Sequence, residues 1–158
     1  MLNADNTYFE NLKRIGYEWE AARAERKARK QPIIDTYGWD SEEFKAWYAE
    51  DAAAKFPFES GASKAYRAWA QSLKRKEDEL EMDDFLWDWE VDSFIEALRS
   101  AGIASFVYTN QSTAVMENLH QLTAAGCTMQ GLCTVTRQED HWGSVGPTEV
   151  LGIRFGLN

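Results

Sequence analysis

Residues 77–92, Glu-Asp-Glu-Leu-Glu-Met-Asp-Asp-Phe-Leu-Trp-Asp-Trp-Glu-Val-Asp, divide the sequence in two. The stretch holds nine carboxylates and no basic residue in sixteen positions. It accounts for the formal net charge of −9, since residues 1–76 carry +2 and residues 93–158 carry −2. Phe85, Trp87, Trp89 and Val91 alternate with Leu86, Asp88 and Glu90, a period of two that predicts a short strand over 85–91. Successive side chains of a strand point to opposite faces, so the aromatics fall on one side and the acids on the other. That arrangement sends Trp87 and Trp89 toward a core and leaves the carboxylates outside.

Upstream of this stretch the pattern is helical. Tyr8, Leu12, Ile15, Trp19 and Ala22 recur at spacings of four, three, four and three, one face of a helix over Asn3–Lys30 with Asp5 or Asn6 as its cap. The basic tail Arg23–Lys30 suits a helix C-terminus, and Pro32 is expected to end the helix. Asp40-Ser41-Glu42-Glu43 starts a second helix with Phe44, Trp47, Tyr48 and Ala52 inward, stopping before Pro57. Ser60 or Ser63 opens a third, with Tyr66, Trp69, Leu73 and Leu80 as its stripe and Lys74-Arg75-Lys76 facing solvent.

Downstream the period shortens. Ser93-Phe94-Ile95-Glu96 reads as a capping box and Gly102 as the end of that helix. Ala104–Thr109 is a strand; Ser112 or Thr113 caps a helix with Val115, Met116, Leu119 and Leu122 inward; Gly126 ends it. Cys127–Arg137 and Thr148–Leu157 are strands joined by a polar hairpin loop over Gln138–Pro147. The expected class is α+β: a helical lobe of about three helices over 1–80, then a β-α-β-α-β-β module over 81–158. The module holds a small mixed three- or four-stranded sheet with two helices, including a parallel strand pair and an antiparallel hairpin.

The acidic balance argues against direct DNA binding or attachment to an anionic membrane, which rely on Lys and Arg. No apolar run approaches the roughly 18 residues of a membrane span, and the first ten residues lack the basic-then-apolar run of a signal peptide. Cys127 and Cys133 lie six residues apart, about 20 Å along one strand, too far to bridge. They read as reduced residues of a cytoplasmic protein. His120, His141 and the cysteines have no metal-ligand spacing, so neither metal nor cofactor is expected.

Two constellations remain. Glu77, Asp78, Glu79, Glu81, Asp83, Asp84, Asp88 and Glu90, with Trp87 or Trp89 as anchor, form a candidate recognition surface for a basic protein partner. Carboxylates spaced along an extended segment imitate a phosphate backbone, so a nucleic-acid enzyme's channel is one such partner. The alternative is internal pairing, for instance with Arg23–Lys30. Asn110, Ser112 and Thr113, where a strand feeds a helix start, are a candidate anion site, which would suit a nucleotide binder or small enzyme. The turn lacks the glycines and lysine of a P-loop, and a simple helix cap is the favoured reading. No residue stands out as catalytic. Homo-oligomerisation through the helical lobe is a third expectation, with the oligomeric state open.

From Phe94 onward the chain resembles small uncharacterised proteins carried by mobile elements of anaerobic bacteria. The resemblance rests on Ile103-Ala104-Ser105-Phe106, Thr109–Leu119, Gly126-Cys127, Gly131-Leu132 and Gly152-Ile153-Arg154-Phe155, roughly the last 65 residues. It implies a context, not an activity: such proteins often counter host defence, including CRISPR and restriction systems. The combined expectation is a non-enzymatic acidic binder, an anti-defence inhibitor of a basic nucleic-acid-binding surface.

Overall fold

A computed structural model describes residues 2–158. It shows α1 (Thr7–Tyr37), α2 (Glu42–Ala53) and α3 (Ser60–Lys74), followed by a four-stranded mixed sheet interleaved with α4 (Val91–Ser100) and α5 (Val115–Ala124). The strands are β1 (Leu80–Met82), β2 (Ser105–Tyr108), β3 (Cys127–His141) and β4 (Ser144–Leu157), in sheet order β1-β2-β4-β3. β1 and β2 are parallel; β2–β4 and β3–β4 are antiparallel. The α+β class read from the sequence is therefore the observed one. No helix of the described residues is long and apolar enough to cross a membrane.

The chain forms two compact units, residues 11–57 and a larger one of residues 2–10 with 58–158. α3 thus groups with the sheet, where the sequence places the division near residue 80.

In the smaller unit, α1 continues through Pro32 to Tyr37 instead of ending before the proline. The ring removes one hydrogen bond, and the ladder resumes beyond it until Gly38, whose N–H reaches the Ile34 carbonyl at 2.8 Å with φ +89°. Ser41 caps α2 through its hydroxyl, which accepts from Phe44 N at 3.1 Å. Trp47 Nε1 donates to the Arg26 carbonyl at 2.8 Å, and Phe44 stacks on Trp47. Arg26 meets Asp51 and Arg29 meets Glu50. The basic tail of α1 therefore has its own acids on α2.

In the larger unit, Asn6 caps α1 by accepting from Phe9 N and donates to the Ala101 carbonyl. Phe9 is fully buried and stacks on Trp69 of α3 with ring centroids 5.1 Å apart. Under the sheet, Phe94 meets Phe106 edge-on and Phe106 stacks on Phe155. Each such fully buried side chain contributes roughly 1.5–3 kcal/mol. α3 and α4 approach closely because Gly61 carries no side chain: a Cβ there would overlap the Glu90 carbonyl and Ser93 Oγ.

The structure departs from the sequence reading at the acidic stretch. The strand lies at Leu80–Met82, not over 85–91; residues 83–87 are a loop and Asp88–Glu90 a single 3-10 turn leading into α4. Leu80, Glu81 and Met82 are all buried, so the true strand shows no alternation for a period of two to reveal. The helix start lies at Val91, before the Ser93 capping box; the Glu90 carboxylate caps the preceding 3-10 turn, accepting from Trp87 N at 2.9 Å, and not α4 itself. On α5 the inward polar residue is Asn118, while Met116 is exposed. The expected loop over 138–147 is instead the end of a long β3–β4 arm, closed by the two-residue turn Trp142-Gly143. Both turn residues have positive φ, +54° and +89°, the combination whose twist suits a tight hairpin.

Candidate functional site

The nine acids of residues 77–92 do not form one exposed surface. Glu77, Glu81 and Glu90 are 2%, 2% and 4% exposed, which removes them from any surface contact. Arg137 of β3 makes a bidentate pair with Glu81, with Nε 2.8 Å from Oε2 and Nη2 on Oε1. The Thr109 hydroxyl donates to Glu81 Oε1 at 2.6 Å, and Ser72 Oγ accepts from Glu81 N at 2.9 Å. Arg75, expected in solvent, sits 2.9 Å from Asp83 and 3.4 Å from Glu81. Arg154 takes Glu79 at 2.6 Å. The internal partners of the stretch are thus Lys64, Arg75, Arg137 and Arg154, where the sequence offered Arg23–Lys30.

Burial and the neighbouring Glu81 push the Glu77 carboxyl up to about 9, so it holds a proton at neutral pH. Burial also works against the charge on Glu81, but its bonds to Arg137 and Thr109 outweigh that and bring it down to about 2. Arg137 Nε lies 3.8 Å from Glu77 Oε1. This is one buried cluster that fastens the arm to β1 and to the end of α3.

The next segment is built differently. Three consecutive residues of the loop are each held by a polar side chain that is itself buried. Lys64 Nζ donates to the Phe85 carbonyl at 2.7 Å and lies 4.2 Å from the Phe85 ring centroid. Asn118 accepts from Leu86 N at 2.9 Å and donates to its carbonyl at 2.6 Å. Glu90 accepts from Trp87 N and pairs with Lys64 at 2.7 Å. Burial opposes the Glu90 charge, yet Lys64 and the Trp87 N–H hold its ionisation below the usual carboxylate range. Tyr108 OH donates to Asn118 Oδ1 at 2.8 Å and so fixes the carboxamide in turn.

What this grip presents is apolar and wet. Trp87 and Trp89 are 50% and 68% exposed, not core. Their rings lie parallel within 7°, centroids 5.2 Å apart, and Phe85 meets Trp87 edge-on. They wall a cleft of about 530 Å³ completed by Asp88, Ser112, Thr113, Glu117 and Gln121. The two sequence candidates, the acidic-aromatic stretch and the Ser112-Thr113 turn, therefore meet here.

The turn is not an open anion cradle. Asn110 Oδ1 accepts from both Ser112 N and Ser112 Oγ, and Asn110 Nδ2 donates to the Asp83 carbonyl at 2.9 Å. α5 begins at Val115, beyond Ser112 and Thr113. Its helical N–H groups are preceded by a turn that satisfies itself, and the charges nearest it in the cleft are carboxylates. Of the acids, Asp78, Asp88 and Asp92 make no ion pair among the described residues, and Asp83 and Asp84 are engaged by Arg75 and by Lys64 at 3.9 Å. Among the described residues no group of three or more His, Cys, Asp and Glu side chains is placed to hold a metal ion. Cys127 and Cys133 are both free, the former buried and the latter half-buried.

Lys64, Asn118 and Arg137 went unnoticed in the sequence. Asn118 alone left a signal there: it falls three residues after Val115 and four before Leu122, on the inward face.

The family described as "Domain of unknown function (DUF7698)" matches residues 64–157, from the lysine that grips the loop to the end of β4. No curated protein and no solved structure matches the chain.

Proposed function

The chain belongs to the DUF7698 family, and on that premise we propose that it is a non-enzymatic binding protein whose Trp87–Trp89 cleft takes a basic side chain of a protein partner. One observation carries this reading: buried Lys64, Asn118 and Glu90 fix the backbone of residues 85–87, yet the tryptophans of that loop stay in solvent. Preorganising exposed aromatics lowers the entropy lost when a partner orders them. A ring face beside carboxylates suits a guanidinium or ammonium group, through cation–π attraction and the charges of Asp88 and Glu117. Ser112, Thr113 and Gln121 offer oxygen acceptors to the remaining N–H groups.

The same arrangement favours binding over catalysis. The carboxyl pair with displaced ionisation, Glu77 and Glu81, has side chains closed to solvent and lies outside the cleft. A basic channel of a nucleic-acid enzyme remains one surface of the right chemistry, in keeping with the anti-defence context that the mobile-element resemblance implies. The contact is then local, one aromatic-acidic cleft, and not a nine-carboxylate imitation of a phosphate strand.

Calorimetric titration with an Ac-Arg-Gly-Arg-amide peptide tests the proposal. Binding is expected to weaken at least about tenfold in Trp89→Ala and in the double variant Asp88→Asn/Glu117→Gln, and to weaken as salt rises. Equal binding by parent and variants, or none by the parent, would refute it.

A further inference from the structure

The two edges of the sheet are finished in different ways. β1 is short and buried, and its outward Glu81 N–H is taken by Ser72 Oγ. β3, at the other edge, is fifteen residues long. Its Gln138 N–H turns away from β4 and donates to the Arg75 carbonyl at 2.9 Å. Backbone groups two residues apart point the same way along a strand. Thr136, Thr134 and Leu132 therefore present their N–H and C=O groups outward in step with Gln138. Toward the start of the strand the register breaks at a bulge between Met129 and Gly131, where Gly131 has φ +114°. The open window is residues 132–136, bounded by the bulge at one end and by Arg75 at the other.

Edge strands are commonly protected by charge or proline. This one is not: Cys127–Thr136 contains no Asp, Glu, Lys, Arg, His or Pro. Leu132, Thr134 and Thr136 share a face with Ile153, Leu151 and Glu149, their direct partners on β4. Leu132 and Leu151 are exposed on it.

We infer that this window pairs with the same window of a second copy of the chain, antiparallel about a two-fold axis through Thr134. Self-complementarity follows from the spacing: Thr134 faces Thr134 of the partner, and Leu132 faces Thr136 in both directions. β-Branched cross-strand pairs of this kind stabilise antiparallel contacts. Charge selects the occupant. Two molecules of net charge −9 repel wherever acids meet, and the uncharged window is where they can touch. Glu149 of each copy stands one strand behind the contact and two residues off the axis, on opposite sides of it, so the two are about 19 Å apart, three strand spacings across and four residues along, beyond the screening length at physiological salt. A five-residue edge buries less than the roughly 1,600 Å² of a standard interface, so the association is of the weak, transient class.

Sedimentation velocity of the full chain from about 5 to 500 µM tests this. A concentration-dependent shift from the 18.1 kDa monomer to twice that mass is expected. Thr134→Lys, which adds like charges at the axis on an exposed side chain, should raise the dimer dissociation constant at least about tenfold; Thr136→Lys is the second variant if the first fails to fold. Leu151→Lys, on the same face but the other strand, should change it less than about threefold. A monomer throughout, or a dimer that Leu151→Lys abolishes and the β3 variants leave intact, would overturn the inference.

Discussion

Glu77 and Glu81 are four residues apart with opposite ionisation, and this gives stability a definite pH course. The folded Glu77 carboxyl titrates near 9 against 4.5 for an ordinary glutamate. Its contribution is full below about 4.5, declines as pH rises, and is gone above about 9. Glu81, brought down to about 2, acts in the other sense: its contribution is present above 4.5 and lost as pH falls toward 2. The melting temperature of the parent is therefore expected to fall between pH 6 and 8.5, and Glu77→Gln to flatten that slope; a parallel slope in the variant would contradict the assignment. Arg137→Ala leaves the Glu81 charge buried without its main partner and is expected to cost about 3–5 kcal/mol in urea unfolding. None of this was visible in the stretch itself. A count of carboxylates does not show which are buried, and Arg137 and Arg154 lie 56 and 75 residues from the acids they neutralise.

At the scale of elements, local patterns succeeded where one face is dry and the other wet. α3 and α4 are of that kind; β2 is buried on both faces and was legible instead from its β-branched and aromatic Phe-Val-Tyr run. They failed where both faces are alike. β1 is buried throughout, and the outer arm is wet on most of its surface, so neither alternates. The alternation at 85–91 is real, but its cause is a loop pinned residue by residue, with Leu86 in and Trp87 out. Asn118 is the key to that loop. Asn118→Ala would leave the buried Leu86 N–H and C=O unpaired, at about 1–3 kcal/mol for each group. Denaturant unfolding should show that loss, together with weaker binding of the arginine peptide. Pro32 is a local signal that longer-range helix continuation overrode. Replacing it with alanine restores the missing ladder bond and is expected to stabilise α1 by up to about 3 kcal/mol, seen as higher helix content and melting temperature.

For the whole molecule, the order of elements and the α+β class were legible because composition changes sharply at residue 77. The position of the candidate site was legible only in part. Trp87, Asp88, Ser112 and Thr113 were each singled out, but as members of two separate features. Their meeting depends on Asn118 docking the loop onto α5, a contact across 32 residues. The central claim is that this meeting place, and not the acidic stretch as such, receives a basic partner. Its most direct test is a heteronuclear NMR titration of the ¹⁵N-labelled chain with the Ac-Arg-Gly-Arg-amide peptide. The indole N–H signals of Trp87 and Trp89 and the amides of Ser112 and Thr113 are expected to move together and saturate with one dissociation constant. Shifts centred instead on Asp78 and Asp92, with both indoles unmoved, would contradict the account.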